Sequence, residues 1–246
     1  EDLVPAKSIP KRSVCSFSPI RFRVPAPIEH IGPSAIPLVG LVGGIGSGKS
    51  TVTRELARRM KVAILDADKA GHDALKQVPV KDALRTAFGG GIFDECGEVV
   101  RSQLAKRVFG DDEIAQQNRS VLEQIVHPVL RADLVKQWQT ARDQAQVEVV
   151  LLDAPILLES GWKELCDAVV FIDTPLMRRQ VWTRASRGWS SDELARREAS
   201  QWPLDRKREA SDFVIDNSGS LFETVQQLER AVREVIAKTS STRRTH

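Results

Sequence analysis

The chain has 246 residues, of which 41% are hydrophobic and 28% charged, a globular composition long enough for one large domain or one domain with insertions. None of its apolar runs approaches the ~20 residues needed to cross a bilayer, so a membrane span is excluded. The formal charge of +3 belongs to the ends: residues 1–36 hold five basic and three acidic side chains and residues 237–246 hold three basic ones, leaving 28 basic against 30 acidic between them, which gives nucleic acid no electrostatic footprint.

In chain order, residues 1–36 come first. Pro5, Pro10, Pro19, Pro25, Pro27 and Pro33 interrupt them and no apolar periodicity is present, so this segment is expected to be disordered and to lie outside the catalytic unit. It has no apolar stretch of the secretory type. Order is expected from Ile36. Ile36–Val42 is an apolar run leading into glycines, the form of a buried parallel strand. Similar runs follow at Val62–Leu65, Val147–Leu152, Ala168–Ile172 and Phe213–Ile215. They end in or beside Asp66, Asp153, Asp173 and Asp216. Helical patterns separate the runs, so the predicted fold class is α/β, a doubly wound parallel sheet with most strands buried on both faces. Ligands of such sheets sit at the carboxyl ends of the strands, where these acids fall.

The stretch from about residue 67 to 146 is too long for a simple crossover and reads as an inserted helical subdomain. One helix is expected over Ser102–Phe109 and another from Asp112 past Trp138, bending at His127-Pro128, with His127 a packing residue. Farther on, Ser190 and Glu193 form an S-x-x-E capping box that opens a helix ending before Pro203. The last helix carries Leu221, Val225, Leu228, Val232 and Val235 on one stripe, a core-facing pattern. Cys15, Cys96 and Cys166 match no metal or disulfide spacing, which fits a reducing, cytoplasmic setting.

The chemistry-bearing motif is Gly43-Gly44-Ile45-Gly46-Ser47-Gly48-Lys49-Ser50, a G-x-x-x-x-G-K-[ST] phosphate-binding loop between a predicted strand and a predicted helix. Its glycines let consecutive backbone N–H groups turn toward phosphate oxygens where a Cβ would obstruct. The helix from about Lys49 to Met60 points its positive end at the same anion. Lys49 is expected on the β- and γ-phosphates of ATP, and the Ser50 hydroxyl on Mg²⁺.

Beyond this motif the chain resembles the dephospho-CoA kinases. The resemblance opens with Leu41 through Thr51 and continues in Leu65-Asp66-Ala67-Asp68, Leu122 through Pro128, and Asp153-Ala154-Pro155-Ile156-Leu157-Leu158-Glu159-Ser160-Gly161. It ends with Arg197 through Gln201 and Asp212 through Gly219, in the family's order, over about residues 38–235. It implies transfer of the ATP γ-phosphoryl to the ribose 3′-hydroxyl of dephospho-CoA. It also implies a core similar to nucleoside monophosphate kinases, a helical acceptor-binding part and a lid over about residues 176–205.

Candidate roles follow. Asp68 matches the second acid of the family's D-A-D and is placed to take the proton of the acceptor hydroxyl; a helix N-cap is its plain alternative. Asp66 is expected to orient the turn or the metal. Asp153 stands where a strand-end acid holds Mg²⁺, or simply turns the chain. Leu158 and Glu159 match an acceptor-side motif, with a solvated helix charge the competing account of Glu159. Arg101 opens a segment resembling an acceptor-binding helix, and arginine forks suit a pyrophosphate. Arg178, Arg179, Arg184 and Arg187 fall where lid arginines are expected; Arg184 and then Arg187 are the candidates for charge neutralisation, although the spacing departs from R-x-x-x-R. Asn217 and Gly219 match a loop lying against adenine. Another small-molecule kinase of similar fold is the alternative reading. A nucleotide-dependent switch or assembly ATPase is the alternative of a different class.

Overall fold

The computed structural model describes residues 36–242 except 109, 111, 144 and 145. The expectation for residues 1–35, and the end of the basic C-terminal tail, therefore lie outside the described residues. Strands β1 (Leu38–Gly43), β2 (Val62–Asp66), β3 (Val149–Asp153), β4 (Ala168–Asp173) and β5 (Phe213–Asp216) form one parallel sheet in the order β2-β3-β1-β4-β5. The chain leaves β1 at the centre of the sheet, where the order reverses, and this is the place where a doubly wound sheet opens a ligand crevice.

The three middle strands are buried almost throughout. In β1, Leu38 and Val42 join the core on one face of the sheet, while Val39 and Leu41 join the core on the other. The two edge strands are the exceptions to burial on both faces: Ile64 of β2 and Val214 of β5 are exposed. The strands end on Asp66, Asp153, Asp173 and Asp216, as read from the sequence. The register places Asp66 opposite Asp153 and Asp173 opposite Asp216, so the acids line one rim.

The helices are α1 (Lys49–Leu56), α2 (Ala67–Ala74), α3 (Val78–Phe88), α4 (Arg101–Val108), α5 (Glu113–Asp143), α6 (Leu176–Arg187), α7 (Ser191–Glu198), α8 (Leu204–Glu209) and α9 (Leu221–Thr242). Helix α5 runs on across Pro128 and past Trp138 as one element, as expected, although proline removes one ladder hydrogen bond. Helices α3, α4 and α5 enclose a core of their own around Val80, Leu84, Ile92, Leu104, Val108 and Ile125. His127 packs edge-on to Trp162 with ring centroids 6.0 Å apart, and burial lowers its pKa. Cys166 is half-buried, and the lost hydration of its thiolate pushes the thiol pKa up to about 12, which keeps it inert.

Two helix starts refine the sequence reading. Ser190 Oγ does accept from the Glu193 N–H at 3.1 Å, but the Glu193 carboxylate turns to Arg196 and Arg197, so only half of the capping box forms there. The complete box is at α9, where Ser220 and Glu223 bond each other's backbone N–H groups at 2.9 and 3.3 Å. The helix expected to end before Pro203 does so, at Glu198, and Pro203 itself caps the separate α8. Leu41, fully buried on the central strand, is the sharpest test of this packing: Leu41→Ala should lose about 2–5 kcal/mol of unfolding free energy in urea titrations.

Candidate functional site

The phosphate-binding loop emerges from β1 as expected. Gly46 (φ 73°) and Gly48 (φ 81°) are left-handed, and a Cβ on Gly46 would stand 2.5 Å from Thr183 Cγ2, so this position needs glycine on both counts. Gly48 caps α1 without any side-chain hydrogen bond, and no acid lies in the first turn. The orphan N–H groups and the positive end of α1 are thus left for an anion.

The loop is held from behind. The Ser47 carbonyl accepts from Thr174 Oγ1 at 2.9 Å and from Asn217 Nδ2 at 3.0 Å. Asn217 Nδ2 also reaches Thr174 Oγ1 at 3.0 Å, while its Oδ1 accepts from Thr224 Oγ1 at 2.9 Å. Arg179 is buried against the same loop: its Nε donates to the Thr174 carbonyl at 3.1 Å and its Nη1 to Glu198. Glu198 Oε1 in turn accepts the Ile45 N–H at 3.1 Å. One ion pair, its arginine buried and its carboxylate half-buried, therefore joins α6, α7 and the loop. Sequence reasoning treated Asn217 as part of a base-contacting loop and did not find Thr174, Glu198 or Thr224. Thr174, Glu198 and Asn217 reach the loop across 127, 153 and 170 positions, which local pattern cannot register.

On the open side, a cleft of about 810 Å³ is lined by Ile45 through Val52, Asp68, Asp153, Arg178, Trp182, Arg187, Asn217 and Gly219, among others. Lys49 is buried with its Nζ 3.3 Å from the Gly43 and Gly44 carbonyls and from Ser47 Oγ. Burial lowers its pKa, opposed most strongly by Asp153. Ser50 Oγ donates to Asp153 Oδ2 at 2.9 Å, so the two expected metal-side groups meet. Asp68 is the second residue of α2, and the N-cap role is taken by Asp66, which accepts the Lys69 N–H at 2.9 Å. Asp68 reaches solvent through the cleft mouth, yet the cleft walls strip part of its hydration and raise its pKa. The Asp66 and Asp153 carboxylates push the same way, and His72 and Lys49 oppose them. Thr51 lies on the cleft wall beside Ser50.

Other candidates fall elsewhere. Arg187 is on the cleft wall, whereas Arg184 is exposed on α6 away from that lining. Arg101 opens α4 in the helical insertion, outside the cleft lining. Leu158 is part of the core. Glu159 is no solvated helix charge: its Oε1 lies 2.9 Å from the Lys207 Nζ and 2.9 Å from the Trp202 N–H. Lys207 is fully buried and also donates to the Pro155 carbonyl and to Gln201 Oε1, each at 2.9 Å. This pair ties the turn after β3 to α8.

The family model for dephospho-CoA kinase matches residues 37–223. The chain belongs to the dephospho-CoA kinase family. A dephospho-CoA kinase of Rhodopirellula baltica is 38% identical over 87% of this chain and 95% of that protein. One from Geobacillus kaustophilus is 36% identical over 77% of this chain and 92% of its own length. Among solved structures, a Thermus thermophilus protein is 30% identical with a TM-score of 0.69, covering 81% of this chain and 97% of that one. The dephospho-CoA kinase of Campylobacter jejuni, at 21% identity and TM-score 0.51, covers 82% and 98% and shares the fold. Among the described residues no helix is long and apolar enough to cross a membrane.

Two outcomes test this site in members of the family. Glu198→Ala strands the buried Arg179 charge, and the chain should lose about 3 kcal/mol of stability, read as a lowered Tm. Asp68→Asn should do the opposite. The folded-state pKa of Asp68 is raised, so its ionised form opposes folding above that pKa, and the cost disappears below the unfolded value. The variant should melt higher than the parent at pH 8, with the gain vanishing as pH falls through the carboxylate range.

Proposed function

We propose that this chain transfers the γ-phosphoryl group of ATP to the ribose 3′-hydroxyl of dephospho-CoA, giving coenzyme A and ADP. The observation that carries this reading is one cleft holding the phosphate-binding loop, the buried Lys49, Ser50 with Asp153, and Asp68 of raised pKa, in a chain of this family.

In this reading the loop N–H groups and the start of α1 bind the phosphates, and Lys49 adds a fixed positive charge. The bond that forms joins the acceptor oxygen to the γ-phosphorus. The bond that breaks releases the β–γ bridging oxygen with its electron pair on ADP. Asp68 receives the hydroxyl proton, which a raised pKa suits better than an ordinary aspartate would. Arg187, on the wall of the cleft, offsets charge on the transferring group, in preference to Arg184. Arg101 in the helical insertion is the candidate for the pyrophosphate of the acceptor.

The donor set also fits Mg²⁺. Ser50 and Asp153 offer two hard oxygens 2.9 Å apart, and among the described residues no group of three or more acidic, His or Cys side chains forms a cage. Mg²⁺ retains waters and binds through one or two protein oxygens together with substrate phosphates. Ser50 and Asp153 would hold it, and it would supply neutralisation of phosphate charge.

The test is ADP release from Mg-ATP with and without dephospho-CoA. The rate should depend on that acceptor, and other nucleotides and nucleosides should not replace it. Asp68→Asn should lower kcat about 100-fold or more with a small change in KM. In the parent, kcat/KM should fall on acidification at a pH above that of an ordinary aspartate. A rate independent of the acceptor would overturn the reading.

A further inference from the structure

Lys207 of α8 is 0% exposed, and so deep a place is costly for an ammonium unless its charge and donors are answered. It donates to the Pro155 carbonyl and to Gln201 Oε1 and pairs with Glu159 Oε1, each at 2.9 Å. The set is not built for stability alone. Glu159 Oε2 is buried with no hydrogen-bond partner among the described residues, an arrangement that apolar side chains of similar volume would improve on.

Two of the three partners lie on the turn that follows β3, and that turn borders the cleft. Asp153 closes β3 and Pro155 comes two residues later; both line the cleft, with the fully buried Ala154 between them. Proline has no N–H, so its carbonyl is the one backbone group by which Pro155 can be hydrogen-bonded into place, and Lys207 is the donor. The third partner fixes Lys207 in turn. Gln201 donates its N–H to the Glu198 carbonyl at 2.9 Å, and the Glu198 carboxylate holds Ile45 of the phosphate-binding loop. The link between α7 and α8 therefore grips the loop on one side. On the other, through Lys207, it grips the stretch from which Asp153 accepts the Ser50 hydroxyl. The charge of Lys207 also reaches the cleft: burial lowers the Lys49 pKa, Asp153 opposes this and Lys207 reinforces it.

We infer that Lys207 is a positioning residue of the phosphotransfer, fixing through the Pro155 carbonyl the turn that presents Asp153 to Ser50 and to the Mg²⁺ these two oxygens would hold. The inference rests on the phosphotransfer reading, but its first test needs no acceptor. Isothermal titration of the full chain with ADP, in a chelator and then in excess Mg²⁺, separates what the loop binds from what the metal adds. Lys207→Met should weaken Mg-ADP binding about 10-fold or more, as loss of a group that orients a metal ligand does. ADP in the chelator should bind parent and variant alike. Lys207→Met with Glu159→Leu replaces the whole pair by apolar groups and strands no charge. It should show the same loss, because it too lacks the donor to Pro155. In turnover either variant should lower kcat by a similar factor, yet cost under about twofold in an Asp153→Asn background, where the contact it serves is already gone. Equal weakening of ADP with and without Mg²⁺, recovery in the paired variant, or a fully additive loss beside Asp153→Asn would overturn the inference. A rate that needs no acceptor would sink the phosphotransfer reading and leave the titrations to decide this one.

Discussion

The Ser47 carbonyl, held at 2.9 and 3.0 Å by Thr174 and Asn217, is the contact on which the rest of the cleft depends. A phosphate-binding loop must leave amide hydrogens unsatisfied by its own backbone so that an anion can take them. This loop closes one turn of its own, from the Ser47 N–H to the Gly44 carbonyl at 3.1 Å, and further support for its shape comes from outside. Here β4 supplies Thr174 just beyond its last residue, β5 supplies Asn217 in the same position one strand over, and α7 supplies Glu198 to Ile45. The parallel register makes this possible, since it brings the ends of β1, β4 and β5 to one rim.

Electrostatics within the cleft follow from the same enclosure. Burial strips water from Lys49 and lowers its pKa, while the carboxylate of Asp153 nearby works to keep it charged. Asp68 faces the opposite balance: lost hydration and two neighbouring carboxylates disfavour its charge. A cation that loses hydration beside an acid that resists ionisation is poised for a ligand bringing negative charge and a proton to give away. The site thus carries a built-in cost in its free state, of the kind found where function competes with stability.

Much of this was legible in the sequence because it is local. The glycine spacing before Lys49, the apolar runs and the acids closing them depend on neighbours only a few positions apart, and the strands fall where those runs predict. Asp66 and Asp68 could not be separated from spacing alone, since either acid suits a cap. Only the start of α2 assigns the cap to Asp66 and leaves Asp68 for the cleft. For Glu159 a surface charge stayed open beside the acceptor-side reading because its partner Lys207 lies far along the chain and is wholly enclosed. The arginines of α6 were similarly unresolved: Arg179 turns inward to Glu198, Arg178 to the loop after β5, and Arg187 to the cleft. Four like side chains on one helix acquire different duties only from what each face meets.

The grip of Glu198 on both Arg179 and Ile45 also limits how the arginine-bearing region can travel. With α7 tethered to the loop at its last residue and α6 pinned by Arg178 and Arg179 near its first turn, neither helix is free to swing away as a whole. What remains between the anchors is the turn around Gly188, left-handed at φ 69°, where the Trp189 ring meets the guanidiniums of Arg187 and Arg197 at 4.7 and 4.2 Å. Any displacement that keeps both anchors is therefore confined to that turn, whose first arm carries Arg187 on the cleft wall.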